Sequence, residues 1–227
     1  DLHGKLFNPF EFGGYLCFRF WPRRDQLPFM GIHQEGSREL RHLYMLALYR
    51  PDAWPRFEQL YAFDYLVLRW GATSNDGLLS VVGRDTSWVR VFGDDAAYVF
   101  VRRHGPFARL AADSAYTLIP TDAPSLTAFG QATTRDSLLR RRAERELWRE
   151  VAGSPYHAEA LGLLANIALF EGRNIAPYIA TGRDPHHPSW QERFATPSPA
   201  PSEDANPQVK MAYKLKTVIG QAIYSAR

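Results

Sequence analysis

The chain has 227 residues, 45% of them hydrophobic, enough for one large domain or for one domain with a small appendix. Its formal net charge is only +3, with 27 Lys and Arg spread among 24 Asp and Glu, and it lacks the basic stripe with stacking aromatics that would mark nucleic acid as a partner. The longest apolar runs, 65–68 and 161–170, fall far short of the roughly 20 residues that cross a bilayer, and a single cysteine, Cys17, leaves no internal disulfide.

Residues 5–7 read as a short strand. Asn8-Pro9-Phe10-Glu11 then reads as a helix start: Asn8 as the cap, Pro at the first helical position, and Glu11 completing a capping box, with the helix reaching Phe20. Residues 28–32 are a second apolar strand, followed by a polar loop, 33–36. Ser37 can cap a helix whose apolar face is Leu40, Leu43, Tyr44, Ala47 and Leu48, and a shorter helix over 53–59 places Trp54, Phe57 and Leu60 on one side. The run Tyr65-Leu66-Val67-Leu68 has the pattern of a central strand buried on both faces. A helix from Asn75 through Val82 ends on Gly83 as its left-handed terminator, and 88–92 and 97–101 flank Gly93-Asp94-Asp95-Ala96 as a hairpin. The fold class expected for 1–104 is α/β: a Rossmann-like, mainly parallel sheet covered by helices, closed by an antiparallel edge hairpin.

Residues 105–132 hold three prolines and many small residues and read as a linker, with 107–112 helical and 116–119 packing on the sheet. Helical periodicity alone follows over 133–195: Leu138, Leu139, Ala143, Leu147, Trp148 and Val151 form one face, and a second helix over about 157–171 is followed by Gly172. The charged run from Arg140 reads as a solvated face with i,i+4 pairs Arg140/Glu144 and Arg142/Glu146. Residues 196–208 have a disordered connector's composition. The last segment, 209–227, is an amphipathic helix with Lys210, Lys214 and Lys216, suited to capping the preceding helices or, through 209–224, to touching a membrane surface.

Motifs for chemistry are few. There is no phosphate-binding loop, zinc-protease motif, nucleophile elbow or Cys pair, and His186-His187 between prolines reads as an exposed loop, so no metal and no cofactor is expected. Gly13-Gly14 follows the first strand where doubly wound proteins bind phosphate, but inside a helical pattern the pair is explained by close packing. Asn8 and Glu11 are explained by capping. His33, Gln34 and Glu35, at the carboxyl end of the second strand, sit on the ligand-facing edge of an open α/β sheet and are the leading binding candidates.

The stretch Leu6-Phe7-Asn8-Pro9-Phe10-Glu11-Phe12-Gly13-Gly14-Tyr15-Leu16, followed by Leu27-Pro28-Phe29-Met30-Gly31-Ile32-His33, resembles the region after the last transmembrane helices of bacterial polytopic C-class glycosyltransferases of the dolichyl-phosphate-mannose or oligosaccharyl transferase type. Trp54, the segment 60–68 and the hairpin strand 94–102 continue the similarity, which covers about residues 1–103. Gly31 stands where that pattern usually has Asp. The resemblance implies an extracytoplasmic, periplasmic-side domain whose partner is the transmembrane region of its parent, with catalysis in the part not present here. Residues 158–172 resemble the first helix of a tetratricopeptide repeat, with a short second helix near 175–181.

The chain starts at Asp1 with neither an initiator Met nor a signal pattern and is read as a piece of a longer protein. Three functions stand open: a non-catalytic accessory domain binding a glycan, a lipid-linked sugar or a partner protein; a structural or protein-interaction module; and a stand-alone α/β enzyme acting on a nucleotide or sugar phosphate.

Overall fold

The computed structural model describes residues 2–23, 26–69, 77–154 and 157–181. The expected connector 196–208, the C-terminal helix 209–227 and His186-His187 lie outside these. The chain divides into two compact units, 1–146 and 147–227.

The first unit is α/β. Its four-stranded mixed sheet has the order β1 (Leu6–Phe7), β2 (Tyr65–Arg69), β4 (Ala97–Arg102), β3 (Trp88–Gly93). β1 pairs parallel with β2, through Leu6 opposite Tyr65 and Phe7 opposite Leu66; β2–β4 and β4–β3 are antiparallel. Strand alternation gives the sheet two buried faces. Phe7, Leu66, Leu68, Trp88, Tyr98 and Phe100 lie on one, under α2 (Arg38–Tyr49), α3 (Trp54–Tyr61) and α4 (Gly77–Arg84). Leu6, Tyr65, Val89 and Val101 lie on the other, against Leu16 of α1 (Gly13–Phe20) and Ala111 of α5 (Ala108–Ser114). Phe7 is the hub of the first face, with ring centroids 5.0 Å from Trp54 and 5.3 Å from Phe63.

Several expected elements are present. Ser37 Oγ accepts from Leu40 N at 3.1 Å and caps α2. The 93–96 hairpin turn is held by Asp94 Oδ1, which accepts from Ala96 N and Ala97 N, 2.8 and 2.9 Å. Tyr116 does pack on the sheet, its N–H donating to Arg90 O at 2.8 Å, and this bridge covers part of the outer edge of β3.

Other elements differ. The sheet is mixed rather than mainly parallel because residues 28–32 form no strand. Pro28 has no N–H to give a ladder, and the polar groups that follow go to a side chain: Asn8 Oδ1 accepts from Phe29 N and Asn8 Nδ2 donates to Met30 O, both at 2.8 Å. Asn8 is therefore a clamp and not a helix cap. The chain after it forms a 3₁₀ turn, Phe10–Phe12, then α1, and neither start has a side-chain cap, so the Asn8/Glu11 capping box does not form. Gly83 is not a left-handed terminator but lies inside α4, where an added Cβ would come within 2.7 Å of Thr121 Oγ1. Leu60 is 60% exposed rather than aligned with buried Trp54 and Phe57. The 105–132 stretch carries α5 and most of α6 (Ala123–Arg135), the latter capped by Asp122, whose Oδ1 accepts from Ser125 N at 3.1 Å.

α7 spans Ser137–Gly153. In the second unit α8 (Ala158–Phe170) buries Leu161, Leu164 and Ala168, packs on α9 (Ala176–Thr181), and is followed by Gly172 at φ 69°. Trp148 lies on Tyr178, ring centroids 5.7 Å apart.

Candidate functional site

The residues singled out from sequence converge only in part, on Gly31. An added Cβ on Gly13 would lie 2.4 Å from Gly31 Cα and 2.5 Å from Met30 O, so Gly13 is glycine because two backbones meet there. The close approach is to the 30–31 loop, not to a strand. Gly14 has nothing within 4 Å of the same position. From the other side Glu35 Oε2 accepts from Gly31 N at 2.9 Å, and Gln34 N donates to Gly31 O at 2.9 Å, with Gln34 itself left-handed at φ 49°. Glu35's carboxyl is held below the usual carboxylate range, by its own backbone N–H first and by that of Gly31 second. His33 is exposed on the turn. What results is a turn that binds itself together: Arg41, from α2, also donates to Gly36 O at 2.6 Å. Tyr44 completes the neighbourhood, donating its hydroxyl to Asn8 O at 3.1 Å while burial pushes the pKa of that hydroxyl up.

A cleft of about 370 Å³ opens elsewhere in the first unit, between the end of α4, the start of β3 and the segment 116–125. It falls at the small end of the roughly 300–1,000 Å³ typical of ligand sites. Its floor is built around a buried cation. Arg90, 4% exposed, lies over the rings of Tyr98 and Tyr116 at 5.0 and 4.7 Å and faces Glu146 Oε1 at 3.8 Å. Glu146 does more than pair with it. Its carboxylate accepts from the backbone N–H groups of Thr117, Leu118 and Ile119, each at 3.0 Å, and so fixes the strip of chain that walls the cleft. A bulge at Arg90/Phe92 shifts the β3–β4 register just where Arg90 enters this site.

The polar lining is rich in donors. Trp88 Nε1 and Thr121 Oγ1 are buried and have no hydrogen-bond partner among the described residues. Trp88 is held in place by Arg102, whose guanidinium lies 4.0 Å over its ring and which is itself bonded to Ser87 Oγ and ion-paired with Glu58. Arg84 and Arg103 stand at the rim, exposed. The two carboxylates of the lining are committed to the backbone, Asp85 to Ser87 N and Asp122 to Ser125 N, with Arg84 3.8 Å from Asp122. Among the described residues no three His, Cys, Asp or Glu side chains group as metal ligands, and no helix is long and apolar enough to cross a membrane.

None of these cleft residues was read from the sequence as part of a binding site. The available signal was Arg90, a charge inside the apolar strand Trp88-Val89-Arg90-Val91-Phe92; its partner Glu146 reads locally as one more member of a solvated helix face, paired with Arg142. No protein-family model matches the chain, and no curated protein or solved structure matches it.

Proposed function

We propose that this chain is a non-catalytic accessory domain, on the extracytoplasmic side of a larger glycosyltransferase-like membrane protein, and that its cleft binds a glycan or the head of a lipid-linked sugar. The observation that carries the binding site is the donor excess at the cleft: an indole N–H and a hydroxyl without partners among the described residues, rimmed by Arg84 and Arg103. Buried donors favour an acceptor-rich ligand, because leaving one unsatisfied costs about 1–3 kcal/mol. Sugar hydroxyls and a sugar-linked phosphate supply such acceptors, and arginine suits both. The carboxylates present are engaged as turn and helix caps, which leaves them poorly disposed to act as an acid/base pair on a substrate. The membrane-bound parent and the extracytoplasmic side rest on the sequence resemblance over residues 6–16, 27–33 and 60–68. The parallel β1–β2 pair with its helical crossover supports a Rossmann-like origin for the first unit, and the α8–α9 pair supports a tetratricopeptide-like appendix.

The test is titration of the full chain with a soluble sugar 1-phosphate and with a short-prenyl diphosphate sugar, followed by NMR at the Trp88 indole proton. Binding should shift that resonance, and Arg84→Ala with Arg103→Ala should weaken it by at least about tenfold, the loss of one or two charge-assisted bonds. An unmoved Trp88 signal at millimolar ligand would remove the cleft from the proposal.

A further inference from the structure

α1 has the wrong outer face for a helix in water. Its inner side buries Leu16 against the sheet and Gly13 against the 30–31 loop, and at 100° per residue the opposite side is made by Gly14, Tyr15, Phe18 and Arg19. A surface helix ordinarily presents charged and polar residues there. Here Tyr15 is 65% exposed and Phe18 80%, and Trp21, just past the helix end, is 74% exposed. Ile32, 66% exposed, follows Gly31, the residue against which Gly13 packs. From Phe12 to Arg24 the sequence has three arginines and no acidic residue.

We propose that the outer face of α1, with Tyr15, Phe18, Trp21 and Arg19, is a docking surface for the interfacial layer of a lipid bilayer bearing anionic headgroups. The composition is the one such interfaces select: Trp and Tyr rings that are apolar in body and polar at the tip, one wholly apolar ring to insert, and arginine to meet phosphate. Charge points the same way, since Arg19, Arg23 and Arg24 outnumber the acids Glu11 and Asp25 that flank the segment. Size separates a bilayer from a protein partner. At about 150–250 Å² per aromatic side chain, three rings exposed to this extent offer roughly 400 Å², about half of the roughly 800 Å² that each partner contributes to a stable protein interface. A bilayer sets no such minimum. The surface is independent of the cleft, so either proposal stands if the other fails.

The full chain should co-float with vesicles of phosphatidylcholine containing about a third phosphatidylglycerol, and much less with phosphatidylcholine alone. The triple change Tyr15→Ser, Phe18→Ser, Trp21→Ser should lower partitioning at least about a hundredfold, and Arg19→Glu should remove most of the preference for anionic lipid. All four side chains are exposed, and circular dichroism verifies that the variants fold. The proposal is overturned if the wild-type chain stays in solution with both vesicle types, or if the triple variant partitions like wild type. Concentration-dependent dimerisation abolished by the triple change would also overturn it, and would assign the face to a second copy.

Discussion

Replacing Glu146 by Ala should destabilise the first unit more than any surface glutamate could. The side chain is 9% exposed, opposite an Arg90 side chain that is 3% exposed, and it receives the N–H groups of three consecutive residues at 3.0 Å. Hydrogen bonds to a charged group contribute about 1.5–3 kcal/mol each, though bonds sharing one carboxylate do not add. Removing one partner of a buried ion pair costs about 3–5 kcal/mol. We therefore expect a loss of about 3–5 kcal/mol, a large share of the roughly 5–15 kcal/mol that keeps a domain folded. Urea unfolding of the whole chain measures the loss, and hydrogen exchange locates it: the amides of Thr117, Leu118 and Ile119 should lose protection before those of β2 and β4. Glu146→Gln, which keeps an acceptor oxygen but sets an NH₂ group against the same donors, should fall between Ala and wild type. A change below about 1 kcal/mol, the scale of an exposed pair, with 117–119 still protected, would refute the clamp.

Gly13→Ala should cost about 1–3 kcal/mol by overpacking against the Gly31 backbone, whereas Gly14→Ala, into open space, should be neutral or stabilise by up to about 1 kcal/mol; equal thermal shifts for the two would contradict the close approach. Asn8→Ala should cost about 2–4 kcal/mol, more than a lost cap, because Phe29 N and Met30 O are orphaned together, and a loss of only about 1 kcal/mol would favour capping after all. Glu35 has a folded value below its ordinary 4.5, so its small contribution is complete above that pH and is lost as pH falls through the folded value. An NMR titration of Glu35 should give a midpoint below 4.5, and Glu35→Gln should flatten the acid limb of the stability curve; a midpoint at or above 4.5 would mean that the Gly31 bond is not held in solution.

Local signals determined much of the fold directly from sequence. The cap at Ser37, the turn at Asp94, Gly172 after α8 and the doubly buried run at Tyr65 are each specified within a few residues, by hydrogen bonds and alternation that need no distant partner. Sequence did not decide what happens where two local solutions compete. Asn8 before a Pro has every local reason to cap a helix, and 28–32 has the composition of a strand; both outcomes were reversed because a fully buried amide gains more from bridging Phe29 N and Met30 O than from a solvent-exposed cap. The cleft depends still more on tertiary structure. Arg90 and Glu146 are 56 positions apart in sequence, and only the folding of α7 against the 116–119 strip brings the carboxylate to that cation. Periodicity reports which residues are apolar on one element, but the pairing of buried charges between elements is set by packing, where desolvation makes each charge depend on a partner that no local pattern names.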